Sequence, residues 1–147
     1  MNEIVLDDGL TQQDLFPFTF TRSAAEIRIG ILTIREKWEQ LYHYRIVDEP
    51  SIHKIPSNLI PNRKLADELK TNQLLLQKYQ DRFIHHPWQI FQRNAEFIKE
   101  DFALVTHGRK SGNISTTNRI TRPENIFLEP GSKVEHASLN ATDGPIY

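Results

Sequence analysis

EIVLDDGLTQQDLFPFTFTRSAAEIRIGIL, residues 3–32, is the stretch on which the fold turns. EIVLDD is a short apolar run closed by two acids, the pattern of a buried strand with Asp7 and Asp8 at its carboxyl edge. A long loop with Gly9 and Pro17 follows. AEIRIGIL then alternates, with Ile27, Ile29 and Ile31 on one face and Glu26, Arg28 and Gly30 on the other, so it reads as a strand or an extended hairpin. A first strand that runs into an extended loop is where an α/β sheet opens its ligand crevice, beyond the strand's carboxyl end. In that crevice Thr19 and Thr21 offer hydroxyls and Arg22 and Arg28 offer charge, while Asp7 or Asp8 could face a metal or a base. The same residues also support a plainer reading. Phe16, Phe18 and Phe20 alternate like a buried strand, with Thr19 and Thr21 facing solvent and Arg22 paired to Glu26 or Asp14.

Outward from this stretch the helix signals are local and specific. Thr33 and Glu36 have capping-box spacing, and Ile34, Trp38, Leu41 and Tyr42 lie on one stripe, which predicts a helix over residues 33–43. RIVDEPS reads as a second strand ended by Pro50, and residues 51–61 as loop. Asn62 is placed to cap a short helix, RKLADELK, with Leu65 and Leu69 four apart. NQLLLQKYQDRFI fits strand and helix equally. PWQIFQRNAEFIKEDFALV is a long helix with Pro87 in its first turn and Gly108 past its end. Its apolar stripe, Trp88, Phe91, Ala95, Ile98, Phe102 and Val105, predicts packing against the sheet.

Bulk composition narrows the class. Eighteen basic residues balance nineteen acidic ones, so neither a nucleic-acid footprint nor an acidic tail is expected. The absence of Cys excludes disulfides and thiolate metal sites. No apolar run approaches the roughly 20 residues of a membrane span, and MNEIVLDDG lacks the basic flank of a signal peptide, so a cytoplasmic protein is expected. His85 and His86 are adjacent and the other four histidines have no regular spacing, which reads as surface or N-cap histidines rather than a metal site.

After Gly108 the composition shifts, and RKSGNISTTNRITRPEN reads as turns. The tail divides into sixes: LEPGSK, VEHASL, NATDGP, IY. Leu128, Val134 and Ile146 recur at multiples of six, with Asn140 in one slot. This resembles the hexapeptide repeat of left-handed parallel β-helices, in which one aliphatic residue per six points inward. Coils of that kind bury their faces only against one another, so about three are needed. The tail is therefore expected to be the start of a solenoid in a longer protein, with the alternative of two strands at a domain edge.

LFPFTFTRSAAEIRIGILTIREKWE resembles the start of bacterial sugar nucleotidyltransferases. HPWQIFQRNAEFIKEDF and STTNRITRPENIFLEPGSKVEHASLNATDGPIY resemble one subgroup of them, similar to the bifunctional N-acetylglucosamine-1-phosphate uridylyltransferase/glucosamine-1-phosphate acetyltransferase but with an abbreviated N-terminal domain. The resemblance implies an α/β, Rossmann-like nucleotide-diphospho-sugar-transferase sheet over residues 1–110, a linker over 111–124, and the first strands of a left-handed β-helix over 125–147. It implies nucleotidyl transfer from a nucleoside triphosphate to a sugar 1-phosphate, assisted by Mg²⁺, in a homo-oligomer that is a trimer at full length. Arg22 would clamp phosphate and serve catalysis with Asp8. Asp7, Gly9, Thr19, Thr21 and Arg28 would hold the nucleotide, and Asp7 and Asp8 the metal. Two departures stand out: the phosphate loop holds Gly9 alone, and Ser23-Ala24 occupy the place of the family's Pro-Lys. They support the alternative of a catalytically degenerate domain that caps the β-helix, aids oligomerisation or senses a nucleotide-sugar.

Overall fold

A computed structural model describes residues 2–9, 11–49 and 52–147. The expected first strand forms as β1 (Asn2–Asp7) and lies at the centre of a three-stranded parallel sheet. Successive residues of a strand turn their amide and carbonyl to opposite sides, and β1 uses both sides in turn. Its first half pairs with β2 (Tyr44–Ile46), Asn2 opposite Tyr44 and Ile4 opposite Ile46. Its second half pairs with β3 (Lys54–Pro56), Val5 opposite Lys54 and Asp7 opposite Pro56. The order β2-β1-β3 means that the chain crosses from one flank of β1 to the other between β2 and β3. Pro50, expected to end the second strand, lies outside the described residues.

A single turn, α1 (Thr11–Asp14), leads into the loop. Residues 27–33 are the extended hairpin rather than a sheet strand: Arg28 bridges Thr33, and Gly30 makes the turn at φ +84°. Ile27 and Ile29 are buried, but Ile31, expected on the same face, is only partly buried, because the turn at Gly30 breaks the alternation and Leu32 goes inside instead. Next, α2 (Ile34–Glu36) starts with both halves of the expected capping box, Thr33 Oγ1 accepting from the Glu36 amide and Glu36 from the Thr33 amide. It widens into one π-helical turn over Lys37–Leu41. Asn62 caps α3 (Arg63–Lys70) by accepting from the Leu65 amide at 2.8 Å. The ambiguous stretch is neither strand nor α-helix but a kinked 3₁₀ segment, Leu76–Arg82. Ile4, Leu15, Ile29, Ile34, Trp38 and Leu65 anchor the core, each with no exposed surface.

The long helix α4 (Pro87–Val105) forms as expected, but its expected face is wrong. Trp88 is 51% exposed and Phe91 71%, while Phe97 and Asp101 are buried. The inner face is chosen by polar partners. Asn94 accepts from the Gly30 amide at 2.7 Å, and Asp101 accepts from Ile31 and Leu32 and pairs with buried Lys37. Between them the Phe97 ring lies under the guanidinium groups of Arg82 and Arg93, each at 4.8 Å. A face carrying Asn and Asp looks solvent-facing in sequence. Here it is buried because the hairpin's backbone amides need acceptors.

The tail forms a second hydrophobic cluster, with Ile126, Leu128 and Ala141 buried and Val134 and Ile146 packed against them, so Leu128, Val134 and Ile146 share one side. The stretch read as turns contributes to it through β4 (Arg119–Thr121), which runs parallel to β5 (Ser138–Asn140). Arg119 stands opposite Ser138 and Ile126 opposite Ile146, so the chain returns beside itself after nineteen or twenty residues. Ile114, Ile120 and Ile126 recur every sixth residue and all enter this cluster. Asn118 ties the two passes together, donating to the Val134 carbonyl and accepting from the Ala137 amide.

Candidate functional site

In an open parallel sheet, ligands sit beyond the carboxyl ends of the strands where the chain reverses its direction of travel across the sheet. Here that point lies between β1 and β3. A crevice of about 240 Å³ occupies it, lined by Asp7, Asp8, Gly9, Thr11, Lys54, Ile55, Pro56 and Leu76. Three of the expected site residues, Asp7, Asp8 and Gly9, are therefore brought together. Lys54 was not expected: it stands 47 positions from Asp7 in sequence, and only the register of β3 on β1 places it there.

Asp8 is a structural hub. Its Oδ1 accepts from Ser23 Oγ at 2.9 Å, from the Ala24 amide at 2.9 Å and from Ser57 Oγ at 2.5 Å. The carboxylate thus pins the end of β1 to the residue after β3 and to the return of the long loop. Ser23 also accepts from the Ala25 amide, capping the short 3₁₀ turn Ala24–Glu26. Gly9 adopts φ +45°, and a β-carbon there would meet nothing within 4 Å. That openness fits a turn that a ligand can approach.

The remaining expected residues divide. Arg22 is exposed, has no hydrogen bond or ion pair with the described residues, and directly precedes Ser23, so the loop carries it back toward the end of β1. Thr21 is exposed too. Thr19 is fully buried; its hydroxyl donates to the Gln12 carbonyl, and Gln12 donates back to the Thr19 carbonyl at 3.2 Å. Its hydroxyl is therefore unavailable to a nucleotide, because the loop needs it to close on itself. Arg28 is turned away from the crevice, bonded to the Ile31 carbonyl and 3.5 Å from Glu36. The plainer reading of the loop also fails: Phe16, Phe18 and Phe20 are all exposed, and Glu26 pairs with Arg35.

Mg²⁺ sites in phosphate-transfer proteins use one or two carboxylates and complete the shell with substrate phosphates and water. Asp7, exposed on the crevice, fits that role. Asp8 fits it poorly, since three protein donors already occupy one of its oxygens. No group of three or more His, Cys, Asp or Glu side chains among the described residues could hold a metal ion.

A family model for sugar nucleotidyl transferase matches residues 4–77, half of the chain. The protein belongs to the sugar nucleotidyl transferase family. The matched stretch of this family member runs from β1 through the loop, α2, β2, β3 and α3, so the whole lining of the crevice lies inside it. No curated protein and no solved structure matches the chain. Among the described residues no helix is long and apolar enough to cross a membrane.

Proposed function

We propose that the crevice between β1 and β3 takes the phosphates of a nucleoside triphosphate, and that this domain serves nucleotidyl transfer to a sugar 1-phosphate. One observation carries the reading: the crevice at the sheet's switch point lies wholly within the family's matched stretch. In the transfer, a phosphate oxygen of the sugar attacks the α-phosphorus, the bond to the β-phosphate breaks, and pyrophosphate leaves. The protein's part is positioning and charge compensation. Lys54 and Arg22 would face the phosphates, compensating for the lysine missing after the loop. Asp7 would hold Mg²⁺, whose chemistry is to neutralise phosphate charge. Asp8 positions the loop rather than touching substrate. Calorimetry with UTP, with UDP-N-acetylglucosamine and with Mg²⁺ tests the reading. Saturable binding that is lost in Lys54→Ala and weakened in Arg22→Ala is expected, and no heat at millimolar nucleotide overturns it.

A second reading draws on Thr19 and Asp8, whose polar groups are taken up in holding the loop. In this reading the domain has lost turnover and caps a β-helix, aiding oligomerisation or sensing a nucleotide-sugar. Parallel passes nineteen or twenty residues apart, with Ile114, Ile120 and Ile126 facing one cluster, support a first left-handed coil of the kind found in the uridylyltransferase/acetyltransferase subgroup. Nucleotide binding without pyrophosphate release under turnover conditions would favour this reading over the first.

A further inference from the structure

A second groove lies at the opposite end of the sheet. It has a volume of about 480 Å³ and is lined by Gln40, Leu41, His43, Arg63, Leu104 and His107, with Ala103. His43 immediately precedes Tyr44, the first residue of β2, so the groove stands at the amino ends of the parallel strands, away from the Asp7 crevice. Three separate elements build it: the turn after α2, the first residue of α3 and the end of α4.

Its lining is one-sided in charge. His43, Arg63 and His107 contribute a guanidinium and two imidazoles, and among the described residues no carboxylate lines the groove. The side chains of these three make no ion pair or hydrogen bond with the described residues. Arg63 is nonetheless oriented, its guanidinium 6.0 Å from the Tyr42 ring centroid. His43 is held at φ 59°, a left-handed conformation unusual for a residue with a β-carbon. Leu41, Ala103 and Leu104 supply an apolar wall. A few convergent polar groups against an apolar wall is the usual make-up of a small-molecule site, and the volume lies within the usual range of about 300–1,000 Å³. An arginine fork flanked by imidazoles suits a tetrahedral dianion. We propose that this groove binds a small phosphate-bearing anion, independently of the crevice at the other end of the sheet.

Titration with inorganic phosphate, followed by NMR of the histidine imidazoles and by calorimetry, tests the proposal. Saturable shifts at His43 and His107 are expected. Arg63→Ala should weaken binding about tenfold or more, as loss of a charge-assisted fork does. Lys54→Ala should leave these shifts unchanged. His43→Asn supplies an independent arm, because Asn tolerates the left-handed backbone, and it should weaken binding with the circular dichroism spectrum intact. Absence of saturation at millimolar phosphate, full affinity in Arg63→Ala or His43→Asn, or loss of the shifts in Lys54→Ala would each overturn the proposal.

Discussion

Replacing Asp101 by Ala should be among the most damaging single changes to this fold. The carboxylate is almost fully buried, accepts from the Ile31 amide at 2.8 Å and the Leu32 amide at 3.2 Å, and pairs with Lys37, itself 1% exposed. Removing it orphans two amides, each worth about 1–3 kcal/mol when buried. It also leaves an ammonium without its partner, a loss of about 3–5 kcal/mol when a buried pair is broken from one side. The two costs overlap, because burial already lowers the Lys37 pKa against the opposing pull of Asp101, and the freed lysine can shed its proton. We expect a net loss of about 3–5 kcal/mol, a large share of the roughly 5–15 kcal/mol that holds a domain together. Urea unfolding followed by the fluorescence of Trp38, buried and next to Lys37 in sequence, reads it directly, with Trp88→Phe as background to remove the exposed indole. Lys37→Met combined with Asp101→Asn should recover most of the loss, since Asn keeps an acceptor for the amides and the charge is gone. A loss below about 1 kcal/mol in Asp101→Ala, or a double variant as damaged as the sum of the singles, would refute this account of what holds the hairpin to α4.

Phe97→Ala should cost about 3–5 kcal/mol, whereas Phe91→Ala should stay within about 0.5 kcal/mol, and paired urea midpoints distinguish the two faces of α4. At Gly30 a β-carbon would lie 2.5 Å from Asp101 Oδ2 and 2.8 Å from the Phe97 backbone. Gly30→Ala should therefore lower the melting temperature far more than Gly9→Ala, which meets no neighbour and carries only a left-handed strain of about 1 kcal/mol. Burial pushes the Glu100 carboxyl up, but two hydrogen bonds from Arg82 and its charge outweigh this and hold the folded pKa below the ordinary 4.5. Its contribution to stability is therefore present above pH 4.5 and is lost as pH falls through the lowered value, so Glu100→Gln should flatten the acid limb of a stability-against-pH curve. Lys37 shifts in the same direction for the opposite reason, because burial disfavours its charged form: below 10.5 the unfolded chain holds its proton more firmly than the folded one, and this part of stability rises with pH through that window. In Lys37→Met that rise should disappear from urea midpoints measured across it.

Short-range chemistry was legible in the sequence. The Thr33–Glu36 capping box, the Asn62 cap, the Pro87 start of α4 and the acid-ended β1 each depend on residues within four positions of one another, and each formed. The common side shared by Leu128, Val134 and Ile146 also formed, and was legible from its six-residue period rather than from close neighbours. The structure alone decided whatever depends on distant pairing. Lys54 reached the crevice because β3 chose the second half of β1, and His43 and His107 line one groove because α4 ends beside the turn before β2. The inner face of α4 went to Asn94, Phe97 and Asp101 rather than to the more apolar stripe. The physical reason is that a buried backbone amide without an acceptor costs more than an aromatic ring left in water, and which amides will be buried is a property of the assembled fold.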